Sequence, residues 1–213
     1  MTARPRQLIG LLGTQTEIGK TWVAARLLAH ARKQSLRVAA RKPVQSFEPG
    51  QGPTDAELLA AATGERVDEV CPPHRNYPLA LAPPMAADLL QQPRILLAEL
   101  CAEIHWPADT ELGLVETVGG PRSPLSHDAD SVDLIQRLRP DRVILVADAG
   151  LGTLNAVRLS LACLAPLTVI APPAITVFLN RFDAGNELHR LNRDWLLHRY
   201  GVQVVTEIAE LLA

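Results

Sequence analysis

Gly13-Thr14-Gln15-Thr16-Glu17-Ile18-Gly19-Lys20-Thr21 is the most distinctive segment of this chain. It follows the apolar run Leu8–Leu12 and opens a helical pattern. Strand, glycine-rich turn and helix is the layout that binds a nucleoside triphosphate. Gly13 and Gly19 let the backbone curl so that successive N–H groups face phosphate oxygens. The helix N-terminus adds its partial positive charge. Lys20 supplies a full charge to the outer phosphates, and the Thr21 hydroxyl is a ligand for Mg²⁺. The competing reading is a helix-capping turn with a chance Gly-Lys-Thr. It leaves the agreement of position, glycines, lysine and threonine unexplained. Gly13 and Lys20 stand one residue further apart than in the common G-x-x-x-x-G-K-[ST] spacing, so the loop is enlarged.

Outward from this loop the pattern alternates. Helical spacing of Val23, Leu27, Leu28 and Ala31 predicts a helix over Lys20–Gln34, followed by a strand at Arg37–Arg41. Pro43–Pro53 reads as loop. Thr54–Ala62 reads as a helix with Thr54 and Glu57 as a capping box and Gly64 as its stop. Cys71–Pro84 is proline-rich and irregular. Helices are expected at Met85–Leu90, Ile95–His105, Ser131–Leu138, Leu154–Leu164 and Glu187–Tyr200. Strands are expected at Leu112–Glu116, Arg142–Ala147, Ala174–Leu179 and Val202–Thr206. The fold class is therefore α/β: a single-domain P-loop NTPase-like fold, with a mostly parallel sheet flanked by helices on both faces. One domain is expected over 1–213, with no repeat or linker.

The 213 residues suffice for a well-buried core, 47% are hydrophobic, and the formal charge is −2. Nothing in that balance favours a nucleic-acid or membrane-surface partner. Cys71, Cys101 and Cys163 are far apart without metal-ligand spacing and read as apolar residues of a reducing compartment. The basic start, Met1–Gln7, is neither a signal peptide nor a membrane span, so a cytoplasmic protein is expected. The histidines show no metal pair and no nucleophile partner. Trp22, Trp106 and Trp195 read as packing residues.

Ligands of such sheets bind beyond the carboxyl ends of the strands. Polar residues should cluster there, and they do. Lys42 and Ser46 follow the second strand; Lys42 could neutralise a transferring phosphoryl group, or simply be a surface lysine. Glu116 ends an apolar strand, where a metal-facing acid belongs, and Asp55 lies in the first turn of its helix. Both also have ordinary readings, a solvent-facing strand end and a dipole-favoured carboxylate. Gly150-Leu151-Gly152-Thr153-Leu154-Asn155 is a strand-to-helix turn whose N–H groups could hold a carboxylate or merely cap the helix. Asn180 follows a strand and could read a base edge with its amide.

These residues together resemble the dethiobiotin synthetase family. The resemblance rests on Gly13–Thr21 with its enlarged loop, Lys42-Pro43-Val44-Gln45-Ser46, Thr54-Asp55-Ala56, Val115-Glu116 with Gly119-Gly120, and Gly150–Asn155. It implies an ATP-dependent carbon–nitrogen ligase of biotin biosynthesis, acting on 7,8-diaminopelargonate with CO₂ and MgATP. One amine becomes a carbamate, ATP phosphorylates it, and the second amine closes the ureido ring. The resemblance implies that Thr16, Lys20 and Lys42 are catalytic. The nucleotide falls to Glu17, Ile18, Gly19, Lys20, Thr21, Trp22, Asp55, Glu116, Gly119, Asn180 and Arg181. Mg²⁺ falls to Thr21, Asp55 and Glu116. The acceptor falls to Thr16, Lys42 and Ser46, with Gly150, Leu151, Gly152, Thr153 and Asn155 of the neighbouring subunit of a homodimer. The chain departs from the family pattern at Gln15, where an acidic residue is usual, at Thr117-Val118 for Gly-Ala, and at Glu207-Ile208-Ala209 for Ile-Pro. It stops at Ala213, short of the usual C-terminal segment, so an altered adenine pocket is expected. The alternatives are a partitioning or metal-insertion ATPase and a nucleotide-binding module without turnover.

Overall fold

The computed structural model describes residues 4–165 and 174–212. Its frame is a six-stranded sheet in the order β2-β5-β1-β6-β7-β8, formed by Val38–Arg41, Leu112–Glu116, Gln7–Gly13, Arg142–Asp148, Ala174–Asn180 and Gln203–Val205. Every pairing is parallel. The three central strands β1, β5 and β6 are almost wholly buried, as strands covered on both faces must be. On one face pack α1 (Lys20–Lys33), α2 (Asp55–Thr63) and the closing 3-10 segment Ile208–Leu212. On the other lie α6 (Ser131–Leu138), α7 (Thr153–Leu164) and α8 (Glu187–Tyr200). The alternating pattern thus reads out as expected, with boundaries within a few residues.

Two capping boxes fix the starts of α2 and α6. Thr54 accepts from the Glu57 N–H at 3.3 Å while Glu57 accepts from the Thr54 N–H at 2.6 Å. Asp130 caps α6 in the same way, accepting from Val132 and Asp133. Gly64 closes α2 in the left-handed region, at φ 82°.

Three features differ from the sequence expectation. The presumed loop Pro43–Pro53 contains a two-residue strand, β3 (Gln45–Ser46), paired with β4 (Asn76–Tyr77) from the irregular stretch. A short helix, α3 (Val67–Val70), was not expected; its Val70 carbonyl accepts the Lys42 N–H at 2.9 Å. The helix expected from Met85 begins at Pro83 as α4 (Pro83–Leu89), because proline is tolerated in a first turn where its missing N–H would be unpaired anyway. The edge strand β2 is covered rather than open. Glu65 accepts the Ala40 N–H at 2.8 Å and pairs with Arg41 at 2.7 Å.

Strand β5, which carries Glu116, is pressed against rigid neighbours at Gly113. A Cβ there would lie 2.5 Å from Pro5 Cγ and 2.8 Å from Trp106 Cζ3. Neither ring can swing aside as a flexible chain would. Gly113→Ala is therefore expected to destabilise the fold by about 1–3 kcal/mol through overpacking, read as a lower urea midpoint at unchanged slope. A midpoint equal to wild type would contradict this packing.

Candidate active site

The strand ends deliver their polar residues to one cavity of about 750 Å³. Thr16, Glu17, Gly19, Lys20 and Thr21 border it from the first loop, Lys42 from the end of β2, Ser46 from β3, Asp55 from α2, and Glu116 and Gly119 from the end of β5. The sheet register explains part of this. Arg41 pairs with Val115, so the next residues, Lys42 and Glu116, leave the sheet level with one another.

At the floor of the cavity lies a compact charge cluster. Lys42 Nζ donates at 2.7 Å to Asp55 Oδ2 and at 2.7 Å to Glu116 Oε1, and at 3.2 Å to the Thr117 carbonyl. The ordinary reading of Lys42 as a surface lysine is thereby set aside, since only 2% of its side chain is exposed. Burial alone would push Lys42 down, but ionised Asp55 and Glu116 more than reverse this and hold it above its usual value. Burial would raise Asp55, yet Lys42 and the Thr21 hydroxyl hold it below the usual carboxylate range. Glu116 is different: burial raises it, and Lys42 offsets this only in part. Burial and the neighbouring Lys42 charge push Lys20 down to about 8.

The cluster is short of hydrogens. Thr21 Oγ1 lies 2.6 Å from Asp55 Oδ1 and 2.8 Å from Glu116 Oε1, so one hydroxyl hydrogen faces two carboxylate oxygens. Glu116 Oε2 is buried with no hydrogen-bond partner among the described residues. Two carboxylates and a hydroxyl are hard oxygen donors, and a buried acceptor without a donor suits a small divalent cation. The residues present therefore fit Mg²⁺.

The glycine-rich loop is held from behind. Asn180 donates to the Ile18 carbonyl at 2.9 Å, and Arg181 to the Glu17 carbonyl at 3.2 Å. Gly19 adopts φ 92°, and a Cβ there would meet Asn180 Nδ2 at 2.2 Å, so only glycine fits. Lys20 Nζ lies 3.4 Å from the Gln15 carbonyl.

A family model described as an AAA domain matches residues 7–212. The ATP-dependent dethiobiotin synthetase BioD of Haloferax mediterranei is 36% identical over 200 residues, covering 92% of this chain and 81% of that protein. The protein of the same name from Rhodococcus jostii is 32% identical over 203 residues, covering 94% and 85%. The chain belongs to the dethiobiotin synthetase family. A solved plasmid partition protein from Borrelia burgdorferi superimposes with a TM-score of 0.54 at 13% identity, over 97% of this chain and 95% of that one; this likeness concerns the fold alone.

The residues that the dethiobiotin synthetase resemblance singles out divide into two groups. Thr16, Glu17, Gly19, Lys20, Thr21, Lys42, Ser46, Asp55, Glu116 and Gly119 share the cavity. Ile18, Trp22, Asn180 and Arg181 adjoin the loop but do not border the cavity, nor do Gly150, Leu151, Gly152, Thr153 and Asn155. Trp22 is not the packing residue expected. It is 48% exposed and lies under the Arg26 guanidinium at 5.2 Å, because Val23 and Leu27 take the inward face of α1. Trp195 is also half exposed, whereas Trp106 packs against the core. Sequence reasoning missed the cavity residues Gln45, Phe47, Ala80–Ala82 and Ser123. Gln45 lies inside the Lys42–Ser46 motif, so its signal was present; Ala80–Ala82 come from the irregular stretch and had none.

Lys42→Met removes the counter-ion of two carboxylates. In the presence of EDTA at pH 8 it is expected to cost about 3–5 kcal/mol of unfolding free energy. The pH dependence follows from Glu116. A folded carboxyl raised above its ordinary value of 4.5 binds its proton more readily than the unfolded chain does. Stability from this group is therefore present at low pH and lost as pH rises through the folded value. The variant's deficit should shrink at pH 5, measured by urea unfolding. A deficit independent of pH would contradict the cluster.

Proposed function

We propose that the whole chain, 1–213, works as one MgATP-dependent dethiobiotin synthetase domain in the cytoplasm. Its substrates are 7,8-diaminopelargonate, CO₂ and ATP; its products are dethiobiotin, ADP and phosphate. The observation that carries the reading is the gathering of Thr16, Lys20, Lys42 and Ser46 around the same cavity as Thr21, Asp55 and Glu116, in a chain of this family.

The reaction needs no protein nucleophile. One substrate amine attacks CO₂ and loses a proton to give a carbamate. A carbamate oxygen attacks the γ-phosphorus of ATP, releasing ADP and leaving a carbamic–phosphoric anhydride. The second amine attacks the carbamoyl carbon, the ureido ring closes, and phosphate departs with the carbamate oxygen. Every step gathers or moves negative charge on oxygen, so positioned cations and N–H groups supply the catalysis.

The loop N–H groups and Lys20 would bind the phosphates. Thr21, Asp55 and Glu116 would hold Mg²⁺, which supplies charge neutralisation to the triphosphate. Thr16 would donate to the carbamate, and Ser46 would do so once its one hydrogen leaves the Leu81 carbonyl. Lys42 would stabilise the transferring phosphoryl group. Its three hydrogens are committed to Asp55, Glu116 and Thr117, so service to the acceptor requires one of these bonds to break. Asn180 and Arg181 brace the loop that follows the first strand, and Asn180 would also read the adenine edge.

The Gly150–Asn155 turn does not border its own chain's cavity, and Leu151 at its tip is 92% exposed. That position favours a homodimer in which the turn takes the substrate carboxylate bound in the other subunit. Gly152 caps α7 at φ 91°, leaving N–H groups of the first turn for an anion.

Incubation with 7,8-diaminopelargonate, bicarbonate and MgATP is expected to yield dethiobiotin, ADP and phosphate in equal amounts. ATP turnover indifferent to the diamine, with no ureido product, would refute the assignment. Lys42→Met is expected to lower kcat by about 100- to 1,000-fold while nucleotide affinity stays within a few-fold of wild type. Undiminished kcat would remove Lys42 from the site.

A further inference from the structure

Gln45 has no part in the phosphate, metal or acceptor assignments, yet it borders the cavity and is 3% exposed. Its side-chain carbonyl accepts the Ala56 N–H at 3.0 Å. Its amide nitrogen donates to Asn76 Oδ1, and the Asn76 amide donates to the Pro72 carbonyl at 3.0 Å. The two ends fix the direction of this relay. A backbone N–H only donates and a backbone carbonyl only accepts, so each amide has one orientation.

Ala56 directly follows Asp55, in the first turn of α2, where N–H groups have no partner within the helix. Thr54 takes the N–H of Glu57, and Gln45 takes that of Ala56. The two carboxylates of the cluster differ in how they are held. Glu116 is fixed by a central strand and wholly buried, whereas the Asp55 side chain is 40% exposed and depends on its helix start. Gln45 also joins that start to the segment bearing Lys42 and Ser46, since it lies between them in the chain and is anchored by the β3–β4 pairing with Asn76. Thr21, Lys42 and Asp55 meet within 2.6–2.7 Å, so a small shift of the helix start separates them.

We infer that Gln45 is a positioning residue for Asp55: through the Ala56 N–H it fixes the start of α2, and so the placement of the Asp55 carboxylate for the nucleotide's metal. The inference rests on reading the cavity as a metal–nucleotide site. Gln45 acts through Asp55, because its side-chain carbonyl and amide are turned to Ala56 and Asn76.

The test is a double-mutant cycle read by calorimetry with the non-hydrolysable ATP analogue AMPPNP. Affinity is measured with Mg²⁺ and with EDTA, and their ratio isolates the metal's contribution. Gln45→Met keeps the volume and loses both hydrogen bonds. It is expected to lower the ratio by about 10-fold, the usual effect of a residue that orients a metal ligand, with affinity in EDTA unchanged. Asp55→Asn lowers the ratio as well, and Gln45→Met adds nothing to it in that background. Asn76→Ala, which loosens Gln45 but leaves the Ala56 bond, gives the same cycle with a smaller loss and serves if Gln45→Met does not fold. A wild-type ratio in both variants, or losses that multiply with that of Asp55→Asn, would overturn the inference. A wild-type ratio in Asp55→Asn alone would instead refute the metal reading of the cavity, which separates the two failures.

Discussion

One buried ammonium between two carboxylates sets the terms for the rest of the site. Lys42, Asp55 and Glu116 come from the end of β2, the start of α2 and the end of β5, and Thr21 from the start of α1 closes the group. Burying these charges is costly unless each finds its partner. The cluster therefore selects one arrangement of four chain segments, and its members constrain one another. Lys42 is held charged, Asp55 is held ionised, and burial holds Glu116 above its ordinary value, with one oxygen that has no hydrogen-bond partner among the described residues. That residual demand for positive charge is what makes the cluster suited to a divalent cation rather than a closed structural ion pair.

The parallel sheet explains why such a cluster forms at this edge. Six strands running the same way put their carboxyl ends, and the loops that follow, on one side. The phosphate loop follows the central strand β1, whose neighbours are β5 and β6. Lys42 and Glu116 thus flank the loop from the β5 side, while Asn180 and Arg181 reach it from β7 and hold two of its carbonyls. Charge is supplied from one side and rigidity from the other. For the proposed reaction, whose nucleophiles would be the substrate's own, this is the division of labour that catalysis by positioning needs.

Much of this was legible in the sequence, and particular residues show where legibility stops. The Gly13–Thr21 loop, the acid at Glu116, the lysine at Lys42 and the capping box at Thr54 are local patterns, each readable from a few neighbours. The pairing of Gln45–Ser46 with Asn76–Tyr77 was not, because two-residue strands carry no period and their partners are 31 positions apart. Gln45 falls in the stretch that reads as loop; its burial is decided by α2 and β4, which only the fold brings to it. Trp22 was misread as packing although the spacing of Val23 and Leu27 already turned it outward, with Arg26 one helical turn on. The Gly150–Asn155 turn was recognisable as a motif, but its place outside the cavity of its own chain depends on the sheet order.

In the proposed reaction the phosphoryl acceptor is a carbamate formed on the substrate, and the protein contributes charge and position. The direct measurement is the fate of oxygen from labelled bicarbonate. With oxygen-18 bicarbonate, the diamine and MgATP, and mass analysis of phosphate before label exchanges with water, released phosphate is expected to carry one labelled oxygen per dethiobiotin formed. Dethiobiotin accompanied by unlabelled phosphate would rule this route out, since the carbamate oxygen would then never have been bonded to phosphorus.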